Sequence, residues 1–350
     1  YGDHRDLHLS LRRQRQMCIR DRLFTVDKIP LIDASLLNST NKDVRNKTVK
    51  DLYDAFSSIG FVSLTATEIN PDIVNNMRST VKKIFDVDDL TKKKEMITRN
   101  NYRGYIPLDF FTPNGTDYKA DHYEGYKLHT EVSADDPICD KCSLHGPNIW
   151  PSKVPESKTN ILKYWSEMDK LASLLLRALE ESLGFKKNEL IDQFSYPSLT
   201  NMTLLHYPVQ KINDEAYGFH PHKDTDALTI IAADSTNALE VQTLDGKWIS
   251  PQESENTFVA NIGDMLELWS GGRLMSTPHR VINKSRTERY SFPYFAVPKY
   301  DVTIKPLIEP LEGFSRPTVN CGHWSSEIWR TNWSDEKAND KSLHLGTLLD

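Results

Sequence analysis

Cysteine is scarce in this chain, at four of 350 residues. Cys139-Asp140-Lys141-Cys142 and Cys321-Gly322-His323 together offer the donors of a structural zinc site. Their spacing gives no sign that they meet, so we read them, like Cys18, as reduced thiols. Basic charge is not in excess either: a formal net charge of -6 at pH 7 gives no footprint for nucleic acid. No apolar run is long enough to span a bilayer. No His-Glu-x-x-His helix supplies the general base of a zinc hydrolase. What is left, with 38% apolar residues to bury a substantial core, is an enzyme acting on a small molecule without nucleic acid or membrane as partner. We expect a monomer.

Three metal-ligating residues stand in an informative order. His222 and Asp224 lie in Gly218-Phe219-His220-Pro221-His222-Lys223-Asp224-Thr225-Asp226-Ala227-Leu228-Thr229-Ile230-Ile231, where an apolar run begins just after the pair. In an extended segment, side chains two residues apart project from one face, so an imidazole and a carboxylate can reach the same ion. His279 follows 55 residues after Asp224, at the head of another strand-like run. Two imidazoles and one carboxylate on one face of an octahedron leave the opposite face open, the arrangement of iron(II) oxygenases.

A His-x-Asp pair alone occurs by chance in many chains. A second sign comes from Arg289-Tyr290-Ser291-Phe292-Pro293-Tyr294-Phe295. Arg289 and Ser291 share a strand face, and a guanidinium beside a hydroxyl is a bidentate receptor for a carboxylate. A metal with open positions near such a receptor suits a dicarboxylic keto acid.

On these residues the chain resembles the iron(II)/2-oxoglutarate-dependent dioxygenase superfamily, in the branch that includes isopenicillin N synthase. The likeness runs from Lys28 to about Pro298. Leu228-Thr229, Asn261-Ile262-Gly263-Asp264-Met265-Leu266-Glu267 and Trp269-Ser270-Gly271-Gly272-Arg273 add matches. The resemblance implies Fe(II) on His222, Asp224 and His279, with 2-oxoglutarate chelating it and O2 as oxidant. The far carboxylate of 2-oxoglutarate would pair with Arg289 and Ser291, assisted by Tyr207 of Tyr207-Pro208. Succinate and carbon dioxide would be released as a small molecule is oxidised, foremost by hydroxylation. Two positions depart from the family: Asp226 stands where it often has Gly, and Leu205 where it often has an Asn that bonds the cosubstrate. Two other readings stay open. One is an isopenicillin N synthase-like oxidase that uses no 2-oxoglutarate and turns Arg289 and Ser291 to a substrate carboxylate. The other is a zinc hydrolase on the same two histidines and aspartate.

The pattern predicts a mainly β fold with flanking α, a double-stranded β-helix (jelly-roll) core with an N-terminal helical region. Lys28 to Asp33 reads as an opening strand; a helix through Leu52, Ala55 and Phe56 then stops at Gly60 before the strand Phe61 to Leu64. Helical spacing recurs over Ile73 to Phe85 and from Ile161 to Leu183, the latter stopped by Gly184. Short strand runs follow: Thr229 to Ala232, Leu239 to Gln242, Thr257 to Ile262 and Arg289 to Phe295. We divide the chain into a non-native or disordered tail (1–22), an N-terminal region with substrate loops (23–150), a scaffold helix with the iron and 2-oxoglutarate core (151–300) and a C-terminal extension (301–350). Six Arg against three Asp make the tail +3 and the remainder -9.

Between Arg103-Gly104-Tyr105 and Gly146-Pro147-Asn148-Ile149-Trp150-Pro151 the chain has little periodicity, and in the related enzymes this region borders the active-site mouth. Loops on a rigid scaffold tend to carry specificity. Tyr102, Arg103, Tyr105, Tyr123, Tyr126 and Lys127, with Phe295, are therefore the candidate substrate contacts. Iron(II) requires a reducing compartment, which points to the cytoplasm.

Overall fold

The computed structural model describes residues 26–111, 120–209 and 217–333, except positions 235, 253, 255 and 286. The expectation for residues 1–22 lies outside these residues. Among the described residues six α-helices are formed: α1 (Lys42–Ser58), α2 (Pro71–Phe85), α3 (Asp89–Lys94), α4 (Ser157–Ser182), α5 (Asp264–Trp269) and α6 (Cys321–Thr331). Their ends carry the local chemistry that starts helices. The Asn41 side chain accepts from the Asp43 and Val44 N–H groups ahead of α1. Asn70 caps α2, which has Pro71 in its first turn and Lys82 and Lys83 in its last, as the helix dipole favours. The stripe Ile161, Trp165, Met168, Leu171, Leu175 and Leu179 is the buried face of α4, and Gly184 beyond it takes φ +70°.

The strands of the two larger sheets are β1 (Leu31–Asp33), β2 (Phe61–Thr65), β3 (Gly104–Ile106), β4 (Glu124–His129), β5 (Asn201–Tyr207), β6 (Phe219–His222), β7 (Leu228–Ala232), β8 (Leu239–Gln242), β9 (Trp248–Ile249), β10 (Phe258–Ile262), β11 (His279–Val281), β12 (Arg289–Ser291) and β13 (Tyr294–Ala296). A nine-stranded sheet runs β1-β2-β10-β7-β13-β5-β4-β3, with β12 also on β5; a four-stranded sheet runs β6-β11-β8-β9. The two enclose the cavity of a jelly-roll, and α4 packs on the outside of the large sheet at β7 and β13, with α1 and α2 against it. Every residue of β4, β5 and β10 is buried, because helices cover one face and the cavity wall is the other.

Three local expectations change. Arg289 to Phe295 is two strands, interrupted at Phe292-Pro293, where proline has no N–H for a ladder. His222 and Asp224 do not share one strand: His222 ends β6 and Asp224 lies in the crossing from the small sheet to the large one. The aperiodic stretch between Arg103 and Pro151 is not all loop: it contains β3 and β4, which extend the large sheet. Charged residues on a buried strand, Glu124 and Lys127, had hidden its alternation.

Gly60 joins α1 to β2 with φ +71°, and a Cβ there would lie 2.1 Å from the Met275 carbonyl oxygen. Both the conformation and the close approach demand glycine. Gly60→Ala should lower unfolding free energy by about 1–3 kcal/mol, the cost of a strained backbone position; urea melts of the two proteins measure it, and equal midpoints would refute the assignment.

Candidate active site

His222, Asp224 and His279 place one ligand atom each within 4.8 Å of one another. Antiparallel pairing of β6 with β11 sets His222 opposite His279, with ring centroids 4.3 Å apart. Asp224 Oδ1 is 3.7 Å from His222 Nε2 and 3.6 Å from His279 Nε2. Each imidazole is oriented from behind. His222 Nδ1 lies 2.7 Å from the His220 carbonyl oxygen, and His279 Nδ1 3.1 Å from that of Thr277. A carbonyl only accepts, so both Nδ1 atoms carry the proton and both Nε2 atoms present lone pairs. Phe61 packs edge-on against His279 with centroids 5.3 Å apart.

The carboxylate is fixed as firmly. Asn261 Nδ2 donates to Asp224 Oδ2 at 2.7 Å, and Thr229 Oγ1 at 2.6 Å. That leaves Oδ1 for the imidazole side. The backbone of Asp224 is held too, since its carbonyl accepts from the Asp264 N–H at the start of α5 at 2.8 Å. Two lone-pair nitrogens and a carboxylate oxygen facing one point repel one another unless a cation sits among them, and two imidazoles with one carboxylate suit a first-row divalent ion. The donor set therefore fits iron(II). Among the described residues this is the only group of three or more His, Cys, Asp or Glu donors close enough to share an ion. Cys139, Cys142 and Cys321 are free thiols, and they and His323 do not assemble a zinc site.

The triad lines a cavity of about 450 Å³. Arg289, Ser291 and Tyr207 line it as well. β12 pairs with β5 so that Arg289 faces Tyr207 and Ser291 faces Leu205. Arg289 Nε donates to Asp234 Oδ2 at 2.7 Å, and the guanidinium carbon stands 5.0 Å from the Tyr207 ring centre. Burial pushes the Tyr207 hydroxyl up to about 12, with Arg289 opposing the shift. The two departures also face this space. Leu205 packs with Ile106, Tyr123 and Tyr207 in a small apolar cluster. Asp226 Oδ2 lies 2.9 Å from the Thr229 hydroxyl; burial, then the charge of Asp224, drives its carboxyl well above the usual range.

The substrate candidates separate cleanly. Lys127 and Phe295 line the cavity, as does Tyr123, which stacks on Phe219 at 5.4 Å. The other four do not. On β4, alternation turns Lys127 and His129 to the cavity and Tyr126 away, where its hydroxyl donates to Glu95 at 3.2 Å. Tyr105 donates to Glu124 at 2.6 Å, in a network with Lys92 and His206. Arg103 is fully buried and ties the Asn101 carbonyl to that of Leu144, at 2.8 and 2.7 Å. Tyr102 packs its ring against Trp333, and its carbonyl lies 3.1 Å from His129 Nε2. These four do structural work behind the wall. Sequence reasoning missed His129, Asn201 and Thr203, and also Ser325, Ile328 and Trp329 of α6, which closes one side of the cavity.

Comparison with known proteins points to the same class of enzyme. The profile of the 2OG-Fe(II) oxygenase superfamily matches residues 199–298, and that of the non-haem dioxygenase in morphine synthesis N-terminal region matches residues 29–153. A homoarginine-6-hydroxylase of Glycine max is 31% identical over 294 residues, covering 80% of this chain and 88% of its own. The 2-oxoglutarate-dependent dioxygenase thnC of Trichoderma harzianum is 28% identical, covering 75% and 82%. A Neurospora crassa protein solved in complex with alpha-KG and thymine has TM-score 0.75 and 25% identity, over 86% of this chain and 96% of that one. Fold and site together define a metal-dependent oxygenase. The chain belongs to the 2OG-Fe(II) oxygenase superfamily: it is a dioxygenase that uses iron(II), 2-oxoglutarate and O2 on a small-molecule substrate. The zinc hydrolase and the oxidase without 2-oxoglutarate are set aside.

Burial, then the charge of His279, pushes the His222 imidazole down to about 4, against about 6.5 for a free one. Between those values the unfolded chain binds a proton that the folded one does not, so stability is lost as pH falls through that window. His129, buried and also pushed down, adds to the same slope. Metal-free protein should show a falling urea midpoint from about pH 6.5 to about pH 4, and His222→Gln should flatten it; a pH-independent midpoint would contradict the neutral imidazoles.

Proposed function

We propose that His222, Asp224 and His279 hold the iron and that Arg289 and Ser291, with Tyr207 beside them, hold the far carboxylate of 2-oxoglutarate, in an enzyme that hydroxylates its substrate. The observation that carries this reading is that a pre-oriented triad and a guanidinium anchored by Asp234 line one cavity. Bound iron(II) would supply oxygen activation coupled to oxidative decarboxylation of the keto acid.

The protein's own contribution is positioning. Thr229 and Asn261 restrict Asp224 to one oxygen on the metal side, and the His220 and Thr277 carbonyls set the tautomers. Asp234 orients Arg289 through Nε, which turns the planar fork as a unit toward the cavity. Ile106, Leu199, Leu205, Phe219 and Ile231 line the remaining wall and keep water from the substrate. The homoarginine hydroxylase among its relatives supports hydroxylation as the outcome. Because iron(II) must stay reduced, a reducing compartment, the cytoplasm, is part of the same proposal.

Asp224→Ala should abolish substrate-dependent succinate release, and full turnover in that variant would sink the metal assignment. Arg289→Lys keeps the charge but loses the fork, so the KM for 2-oxoglutarate should rise about tenfold or more while kcat changes less. Steady-state succinate assays at varied 2-oxoglutarate decide this; an unchanged KM would move the cosubstrate elsewhere.

A further inference from the structure

The cavity contains a lysine that neither the iron nor the cosubstrate accounts for. Lys127 is 2% exposed. Its Nζ donates to Asn201 Oδ1 at 2.6 Å and to Thr203 Oγ1 at 2.8 Å, both neutral. Its Nζ also lies 4.4 Å from the ring centre of Trp329 and 5.1 Å from that of Phe295. Among the described residues no carboxylate forms an ion pair with it. An ammonium taken out of water without a counter-charge costs several kcal/mol, and aromatic faces return only about 1–2 of that. Burial accordingly pushes its pKa well below the ordinary lysine value, with the more distant charge of Asp226 opposing, and an anion docked on it is the counter-charge that favours the protonated form.

The large sheet fixes where this group sits. Lys127 on β4 pairs with Thr203 on β5, whereas Arg289 pairs with Tyr207, four residues further along β5. At about 3.3 Å per residue that is roughly 13 Å of strand, more than the five-carbon chain of 2-oxoglutarate spans. The next row of the same sheet face runs His129, Asn201, Phe295, Thr229 and Asn261 across five strands. Its last two members are the residues that hold Asp224. The lysine is thus displaced along the sheet from the cosubstrate receptor, beside the row that leads to the triad.

We propose that Lys127 is the specificity-determining residue of this dioxygenase and that its substrate is a carboxylate-bearing small molecule with an apolar body, whose carboxylate docks on Lys127. The inference rests on the iron and 2-oxoglutarate reading above. Lys127 has a third N–H beyond the two donated, and the Thr203 hydroxyl, which accepts from it, keeps its own proton to give. Those two donors match the two oxygens of a carboxylate. One cation between two aromatic rings suits a monoanion better than a phosphate dianion. The apolar wall from Leu199 to Ile231 would take the body of the substrate and direct it toward the metal.

The test uses calorimetric titration of protein loaded with manganese(II) and saturating N-oxalylglycine, so that the cosubstrate site cannot capture the probes. The probes are phenylacetate, cyclohexylacetate and naphthylacetate, their primary amides, and the corresponding amines. At least one acid should bind at least about tenfold more tightly than its amide and amine, and Lys127→Met should bring it to the level of the amide. Thr203→Val should weaken it less. The comparison of acid with amide needs no variant, so it stands even where Lys127→Met fails to fold. Equal binding of acids and amides, preference for the amines, or no binding by any acid overturns the proposal. Failure of the wild-type protein to take up manganese(II) and N-oxalylglycine removes both readings; normal uptake with charge-blind probe binding removes only this one.

Discussion

The buried Asp224 carboxylate is the constraint around which the structure is arranged. A charged group in an apolar interior is tolerated only where hydrogen bonds and opposite charge replace water. Here two donors, Thr229 and Asn261, come from adjacent strands of the large sheet, in register with each other. The two histidines come from paired strands of the small sheet. Asp224 sits on the connection between the sheets, so a metal at this point would join the two halves of the jelly-roll through their side chains. Folding and metal affinity are then linked: whatever displaces one sheet relative to the other moves the ligands apart.

The same sheet face supplies the rest of the chemistry. Along β5, Asn201, Thr203, Leu205 and Tyr207 all line the cavity, two-residue steps of one strand face. The Tyr207 end meets Arg289, and the Asn201 and Thr203 end meets Lys127. A cationic group from a flanking strand, Arg289 of β12 or Lys127 of β4, therefore meets each end of its cavity face, with aliphatic Leu205 between. Such an arrangement separates two anions that would otherwise compete for one site. It also explains why α6 belongs to the enzyme rather than to an appendage, since Trp329 supplies an aromatic face over Lys127.

Much of this was legible in the sequence. The ligands and the Arg289 and Ser291 pair carry chemistry in their residue types, and helices with a continuous apolar stripe, such as α4, showed themselves by spacing. Tyr102, Arg103, Tyr105 and Tyr126 were misplaced because aromatic and charged residues in an aperiodic stretch look alike whether they face a cavity or a packed interior. Only the strand pairing, which depends on β5 some 75 residues later, tells Lys127 from its neighbour Tyr126. His129, Asn201 and Thr203 had no motif to mark them. Trp329 lies beyond the likeness to the family and could be found only from the packing of α6 across the cavity.

The motif Asn261-Ile262-Gly263-Asp264-Met265 shows how a resemblance acquires a physical meaning. Asn261 holds the ligand carboxylate. The Asp264 and Met265 N–H groups then donate to the Asp224 and Asp226 carbonyls at 2.8 and 3.0 Å. Gly263 lets the two segments come this close: a Cβ there would stand 2.2 Å from Asp226 Oδ1. The departure at Asp226 is accommodated by the same contact. The Thr229 hydroxyl lies within donating distance of both carboxylates but has a single proton, so a protonated Asp226, donating in its turn, would leave that proton to Asp224. An ionised Asp226 would instead compete for that proton and set a second negative charge behind the metal ligand. The residue that stands in place of the family's glycine thus reinforces the orientation of Asp224 as long as it remains neutral.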